Sequence, residues 1–405
     1  MAARVFCPLA SDRSVWLFAD VVATIQYPYL ILMNALVPAI LAGNTVILKP
    51  SPQTPTVAEH ASKIFGEAGL PQGVIQYFHC GSPTIMETVV RDPRIALVCF
   101  TGSVAGGLAV QKAAADRVVQ VGLELGGKDP AYVRADVDLN WAAEEIVDGA
   151  IFNSGQSCCS LERVYVDEQV HDAFVEAVQK VLKGYKLGDP FDKETQIGPV
   201  ISKRAKEAIE AHIKNALDNG AKDATPENNS FSNPPSKGNF VKPTLLTGVD
   251  HSMTVMTEET FGPVIPIMKV KGDKEAIQLM NDSEFGLTAS IWTKDTDKGY
   301  ELAEDVEAGT VFVNRADYPS PVSYFLMPRF YTDRVLIFPI TWSYPMANLC
   351  NPPKLGFGLD GVEKLRKRPN FGQIWLRAIR QVEELSRQRL PKIGYGSPRI
   401  SQRSE

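Results

Sequence analysis

TVILKPSPQTPTVAEHASKIFGEAGL, from Thr45 to Leu70, holds a short apolar run, a turn with three prolines and a helical pattern closed near Gly69. TVILK is β-branched and continuously apolar, as a strand buried on both faces must be. A strand ending at Lys49, a proline-punctuated turn and a helix make one β/α unit. The turn sits at the carboxyl end of its strand, where sheets of such units bind ligands. The same rhythm extends from about residue 19 to 123. GVIQYFH, RIALVCF and VVQVGLEL are further strands separated by segments of helical length. This alternation predicts an α/β fold with a Rossmann-like, doubly wound parallel sheet.

Upstream, residues 15–43 are the most apolar of the chain, but Asp20, Gln26, Asn34, Pro28 and Pro38 interrupt them. A buried strand followed by a buried helix fits better than a membrane span. Downstream, a helix is expected over Asp138 to Asn153, with Trp141, Ile146, Ala150 and Ile151 as its apolar stripe. It delivers the chain into FNSGQSCCSLERVYV, from Phe152 to Val166. Two amphipathic helices follow, around His171 to Leu182 and Ala205 to Leu217, the second closed by Gly220. Residues 223–238 are polar and rich in breakers, and read as an exposed loop. VIPIMKV, LTASIWT and GTVFVN, with helices near Lys274 to Asn281 and Asp297 to Val306, predict a second α/β domain. The expected division is a cofactor domain over 1–126, a catalytic domain over 127–320 and a divergent, poorly ordered tail over 321–405.

The chain of 405 residues is long enough for two or three domains. With 42 basic against 47 acidic side chains its net charge is −5, which argues against a whole-molecule fit to nucleic acid. From Glu363 onward eleven Lys and Arg face four acids. A solvated appendage explains that tail better than nucleic acid or anionic lipid, because aromatics are not interleaved with the charges. The six cysteines, Cys7, Cys80, Cys99, Cys158, Cys159 and Cys350, show no CxxC spacing. A reducing compartment and no metal are expected. MAARVFCPLASDRS lacks a secretory pattern, so the cytosol is the expected location and an organelle the alternative. No nucleic-acid or membrane partner is expected.

A thiol attacks only as thiolate, so a catalytic cysteine needs a base or a depressed pKa and a place for negative charge. LELGGKDP, 34 residues before Cys158, ends a strand on Glu124 and continues into Gly126 and Gly127. A carboxylate beside a backbone that another group can approach closely suits a general base. A helix-start acid or a surface salt bridge is the alternative. FTGSVAGG, from Phe100 to Gly107, is not GxGxxG but turns from strand to helix through Gly102 and Ser103, which places backbone N–H groups where a pyrophosphate can sit; a plain strand-to-helix connection is the more common explanation of such a turn alone.

LAGNTVILKPSPQTP, FTGSVAGG, LELGGKDP, FNSGQSCCS and EETFGPV occur in this order, and together they closely resemble the aldehyde dehydrogenase superfamily from about Val22 to Tyr318. The resemblance implies that Cys158 is the nucleophile, Cys159 a buried packing neighbour and Glu124 the base that activates the hydrolytic water. It implies cofactor contacts from Lys49, Ser51, Phe100, Thr101, Gly102, Ser103, Leu125, Gly126, Glu259 and Phe261. The implied reaction oxidises an aldehyde to a carboxylic acid through a thioester, with NAD or NADP as cofactor. NAD is preferred, although Pro52 stands where the family often has a glutamate that disfavours a 2′-phosphate. Ser160, Leu161 and Glu162 are expected to touch the substrate, and Arg163 to be structural.

The sequence also departs from the family. IQYP replaces the Trp-Asn-(Phe or Tyr)-Pro run, so Gln26 stands for the asparagine whose amide holds the oxyanion. Loss of such a donor costs about 100- to 1000-fold in rate. The family is usually homo-oligomeric, yet the amino-terminal stretch and the Lys-x-Ser-Gly-x-Gly run with its return strand, both tied to oligomerisation, look missing. Unpaired sheet edges and aggregation are expected from that. A catalytically impaired relative that binds only dinucleotide or partners is the second reading.

Overall fold

The computed structural model of the chain describes residues 17–22, 27–41 and 43–316. Gln26, Cys7, Cys350 and the tail from 321 lie outside the described residues. The first layer contains β1 (Leu17–Val22), α1 (Pro28–Leu41), β2 (Thr45–Leu48), α2 (Thr56–Glu67), β3 (Ile75–Tyr77), α3 (Pro83–Arg91), β4 (Ile95–Thr101), α4 (Val104–Ala114) and β5 (Gln120–Glu124). Its five strands run in the order β3-β2-β1-β4-β5, all parallel. The chain winds outward from β1 through β2 to β3, then returns to the other side of β1 as β4. That reversal is the crevice at which doubly wound sheets take ligands.

The reasons are local. All four residues of β2 are buried, because helices cover both faces of a parallel sheet. In α2, Val57, Ala58, Ala61, Ile64 and Phe65 form the buried stripe against that sheet. The amide of Leu70 donates to Phe65 O at 2.9 Å and closes the helix where the sequence places its stop.

The second layer follows with β6 (Asp129–Val133), α5 (Leu139–Ile151), β7 (Leu161–Asp167), α6 (His171–Lys183), α7 (Lys203–Asp218), β8 (Lys222–Asp223), α8 (Asn229–Ser232), β9 (Thr244–Thr247), α9 (Thr254–Thr257), β10 (Val264–Val270), α10 (Gly272–Asn281), β11 (Thr288–Trp292), α11 (Thr296–Ala303) and β12 (Thr310–Val313). Its seven strands run β12-β11-β6-β7-β10-β9-β8, parallel except for β8 against β9. Asp138 caps α5, its carboxylate accepting from the amides of Asn140 and Trp141. Within the expected apolar stripe Ile146, Ala150 and Ile151 are buried, whereas Trp141 is partly exposed and tilts against Trp292 at 5.4 Å. Gly220, at φ +101°, follows α7 as expected.

One expectation needs correcting. Residues 223–238 are not simply an exposed loop: Phe231 is only 4% exposed and joins the core under α5 and α6. The Asn228 side-chain amide donates to the carbonyls of Leu182, Lys183 and Tyr185, so it closes the C-terminal end of α6. A single aromatic among polar residues leaves no periodic trace. We expect Phe231→Ala to cost about 3–5 kcal/mol in chemical denaturation, the scale of a truncated core aromatic, against under about 0.5 kcal/mol for a surface loop.

Candidate active site

Three loops lead into the amino-terminal ends of three adjacent parallel strands. Residues 125–128 precede β6, residues 156–160 precede β7 and residues 258–263 precede β10. The first of these loops is also the exit from β5, so the carboxyl edge of one sheet meets the amino edge of the other here.

Cys158 lies in the middle loop. After α5 the chain makes a 3₁₀ turn over Phe152–Gly155, in which Asn153, Ser154 and Gly155 have φ of 52°, 60° and 70°. Two non-glycine residues in succession in the left-handed region are strained and need fixing by their surroundings. The Asn153 amide donates to Gln156 O at 3.1 Å, and the Gln156 amide returns to Asn153 O at 3.0 Å. Gln156 Oε1 accepts from the Ile201 amide at 2.8 Å, and the Ser154 hydroxyl donates to Gly198 O at 3.0 Å. A Cβ on Gly155 would stand 2.1 Å from Gly262 O, so only glycine lets this turn pack on the loop before β10. Tyr27 stacks on Phe152 at 6.2 Å, which brings the segment after β1 to the same place.

Cys158 is of intermediate exposure. Its carbonyl oxygen would lie 1.9 Å from a Cβ on Gly127, so the backbones of the two motifs touch. Cys159, expected to be buried, is also partly accessible, with Sγ 3.2 Å from Ser157 Oγ. Glu124, the last residue of β5, is partly buried, and desolvation pushes its carboxyl above the ordinary glutamate range. Glu259 accepts from the Gly127 amide at 3.1 Å. Burial first, and then the charge of Glu162, push its pKa up to about 7, against the pull of the Gly127 amide and Lys128.

Beneath the loops lies an ion pair that sequence reading missed. Lys128 Nζ donates to Glu162 Oε2 at 2.7 Å and to Thr260 Oγ1 at 3.0 Å, and both charged side chains are almost wholly buried. Ser160, Leu161 and Glu162 are therefore not substrate contacts, contrary to expectation. Ser160 is 2% exposed and donates to Ala150 O, Leu161 sits in the core, and Glu162 is held in the ion pair. Arg163 is structural as expected, buried and donating to the carbonyls of Lys128 and Met280.

The remaining cofactor candidates form two neighbouring groups. Lys49 is 7% exposed and, with Leu32, Leu48, Ser51, Thr54 and Val57, lines a small cleft of about 10 Å³. Burial draws its ammonium below the usual lysine value, while the Cys80 thiol works the other way. A buried cation at the mouth of a parallel strand fits a sugar hydroxyl or phosphate, so the residues suit a dinucleotide. The second group is the turn after β4. Ser103 caps α4, accepting from the Gly106 amide at 3.2 Å, and the amide groups of the first turn lead out of the helix. Thr101 pairs with Glu124 across the strands, and the Gly102 amide donates to Glu124 O at 2.9 Å. Phe100 is buried, with its ring under Gly106, and Leu125 packs on Gly107. Both shape the turn from below. The Glu124, Gly126, Cys158, Glu259 and Phe261 group assembles around Gly127 instead. The cysteine loop and the segment leaving the strand that ends in a desolvated carboxylate thus meet through their backbones, and covalent catalysis with general-base release requires both kinds of group.

Residues 19–325 match the model of the aldehyde dehydrogenase family. The chain is 40% identical to human retinaldehyde dehydrogenase 3 over 290 residues, which is 71% of this chain and 56% of that protein. It is 36% identical to lactaldehyde dehydrogenase of Escherichia coli strain K12 over 294 residues, 72% of this chain and 60% of that one. The crystal structure of the Escherichia coli lactaldehyde dehydrogenase superposes with a TM-score of 0.70 at 34% identity, covering 76% and 64% of the two chains. Betaine aldehyde dehydrogenase of Staphylococcus aureus in complex with NAD+ gives a TM-score of 0.69 at 31% identity, covering 75% and 60%. The chain thus spans only 56% to 60% of the length of these relatives. Among the described residues no helix is long and apolar enough to cross a membrane.

Two outcomes follow from this geometry. Gly127→Ala forces the Cys158 loop to move, so iodoacetamide labelling of Cys158 should change and stability should fall by about 1–3 kcal/mol, as for an overpacked site. Glu259 favours the folded state most when protonated. That contribution is complete below pH 4.5 and is lost as pH rises through about 7. Glu259→Gln should flatten that limb of the stability profile, measured by denaturation across this range.

Proposed function

The chain belongs to the aldehyde dehydrogenase family, and on that premise we propose that it oxidises an aldehyde to a carboxylic acid with Cys158 as nucleophile and Glu124 as base. The observation that supports the reading is the backbone contact of Gly127 with Cys158, which joins the cysteine loop to the segment leaving the strand that ends at Glu124. The Cys158 thiolate forms a C–S bond to the carbonyl carbon, and the carbonyl oxygen becomes the oxyanion of a thiohemiacetal. A dinucleotide held by Lys49, Ser51, the Gly102–Ser103 turn and Glu259 would supply the acceptor for the hydride lost from this carbon, whose oxyanion then becomes the carbonyl of a thioester. Glu124 then removes a proton from water, the hydroxide adds to the thioester carbon, and the C–S bond breaks to return the thiolate and release the acid.

Lys49, Ser51, the Gly102–Ser103 turn and Glu259 are assigned to the dinucleotide, within a cofactor unit over 1–126 and a catalytic unit over 127–320. NAD is the favoured cofactor, supported by the NAD+ complex of the Staphylococcus aureus relative. Pro52 is exposed beside Ser51 and offers no carboxylate against a 2′-phosphate, so use of NADP as well is part of the proposal. The names of the relatives support small polar and larger apolar aldehydes alike, and both belong in the assay.

The test is NAD(P)H formation by the purified chain over a panel of aldehydes. Cys158→Ser should abolish it. Glu124→Gln should keep a first burst of NADH and slow later turnovers by about 100-fold or more, the scale of a lost general base. Because burial raises the Glu124 pKa, its basic form fills only as pH rises. Thioester release should therefore climb with pH in the parent and lose that limb in Glu124→Gln. Turnover that survives Cys158→Ser would contradict the proposal.

A further inference from the structure

Glu162 is the second residue of β7, is 3% exposed, and takes no part in the steps above. Its hydrogen bonds cross three strands. Oε2 accepts from Lys128 Nζ and from the Thr260 amide, each at 2.7 Å, and Oε1 accepts from the Phe261 amide at 2.8 Å. Lys128 leads into β6 and Thr260 into β10, and these strands flank β7 on either side. The Thr260 hydroxyl, which accepts from Lys128, lies 3.2 Å from His212 Nδ1 on α7.

Two buried opposite charges are costly to desolvate, and an apolar pair of similar volume often serves a core as well. What an apolar pair cannot do is receive two successive backbone N–H groups. Those two amides belong to the residues directly after Glu259, and the second, Phe261, is held at φ 52°, where a bulky side chain rarely stays without support. The same loop turns Glu259 back so that Oε1 reaches the Gly127 amide, while Oε2 has no protein donor among the described residues.

We infer that Glu162 is a positioning residue for the cofactor: by clamping the amides of Thr260 and Phe261 against Lys128 it aims the Glu259 carboxylate at the dinucleotide. The inference rests on the assignment of Glu259 to the cofactor made above. It predicts a separation of effects, since the hydrogen bonds that fix the turn before Cys158 run through Asn153, Ser154 and Gln156 and not through Thr260 or Phe261.

Glu162→Gln preserves shape but sets an NH₂ group against a backbone N–H, so one amide loses its acceptor. Lys128→Met/Glu162→Gln removes both charges together and leaves no buried charge unpaired, which keeps the question open to test should the single variant fail to fold. NAD binding is read by calorimetry, KM and kcat by turnover, and the Cys158 loop by iodoacetamide labelling without cofactor. The expected result is NAD affinity weakened and KM for NAD raised roughly tenfold or more, the scale of one charge-assisted hydrogen bond, with Cys158 labelling unchanged. Folded variants that bind NAD as the parent does would overturn the inference alone. Failure of both variants to fold would overturn it in favour of a purely structural role. A parent chain that binds no NAD would overturn the assignment of Glu259 and the inference with it.

Discussion

The site depends on a place where no side chain fits. At Gly127 the backbone leaving the first sheet passes so near the carbonyl of Cys158 that a methyl group would overlap it. This contact joins two layers that are otherwise separate sheets. It brings the Cys158 backbone to the segment leaving the strand that ends at Glu124, and the Gly127 amide there holds Glu259. The left-handed turn over Asn153 to Gly155 serves the same meeting from the other side, presenting Cys158 while packing on Gly262.

Electrostatics then separates acids that look alike in sequence. Glu162 is the most deeply buried of the three around Gly127, yet it has an ammonium and two amides to hold its charge. Glu259 has one amide, and desolvation together with its neighbour's charge lifts it to about 7. Glu124 is raised by desolvation alone. Glu162 is committed to its three donors, whereas burial raises Glu259 and Glu124, which have fewer, and leaves them suited to a ligand or a proton. Asp129, buried and bonded to Thr288, is pushed well up by burial and stands with the structural set.

What was legible in the sequence follows from the range of each interaction. The alternation of apolar runs and helical patterns, the Ser103 turn, the start of α5 near Asp138 and the end of α7 at Gly220 are local, and each leaves its pattern within a few residues. The ordered motifs singled out Cys158, Glu124 and Glu259, which the fold brings to the loops around Gly127. Lys128 and Glu162 were misjudged or missed because their partners lie 34 to 132 positions away in the chain, where no periodicity links them. Phe231 was hidden for the same reason, one apolar side chain in a polar stretch whose burial depends on α6. The expectation for Gln26 lies outside the described residues.

The most direct test of the account is to mix the chain with NAD and an aldehyde, quench in acid within the first turnovers and map the covalent mass on its peptides. The account predicts an acyl group on the peptide containing Cys158 and located on that residue, accumulating further when Glu124 is replaced by glutamine. NADH formation with no acyl-enzyme, or an acyl group carried by Cys159 instead, would contradict it.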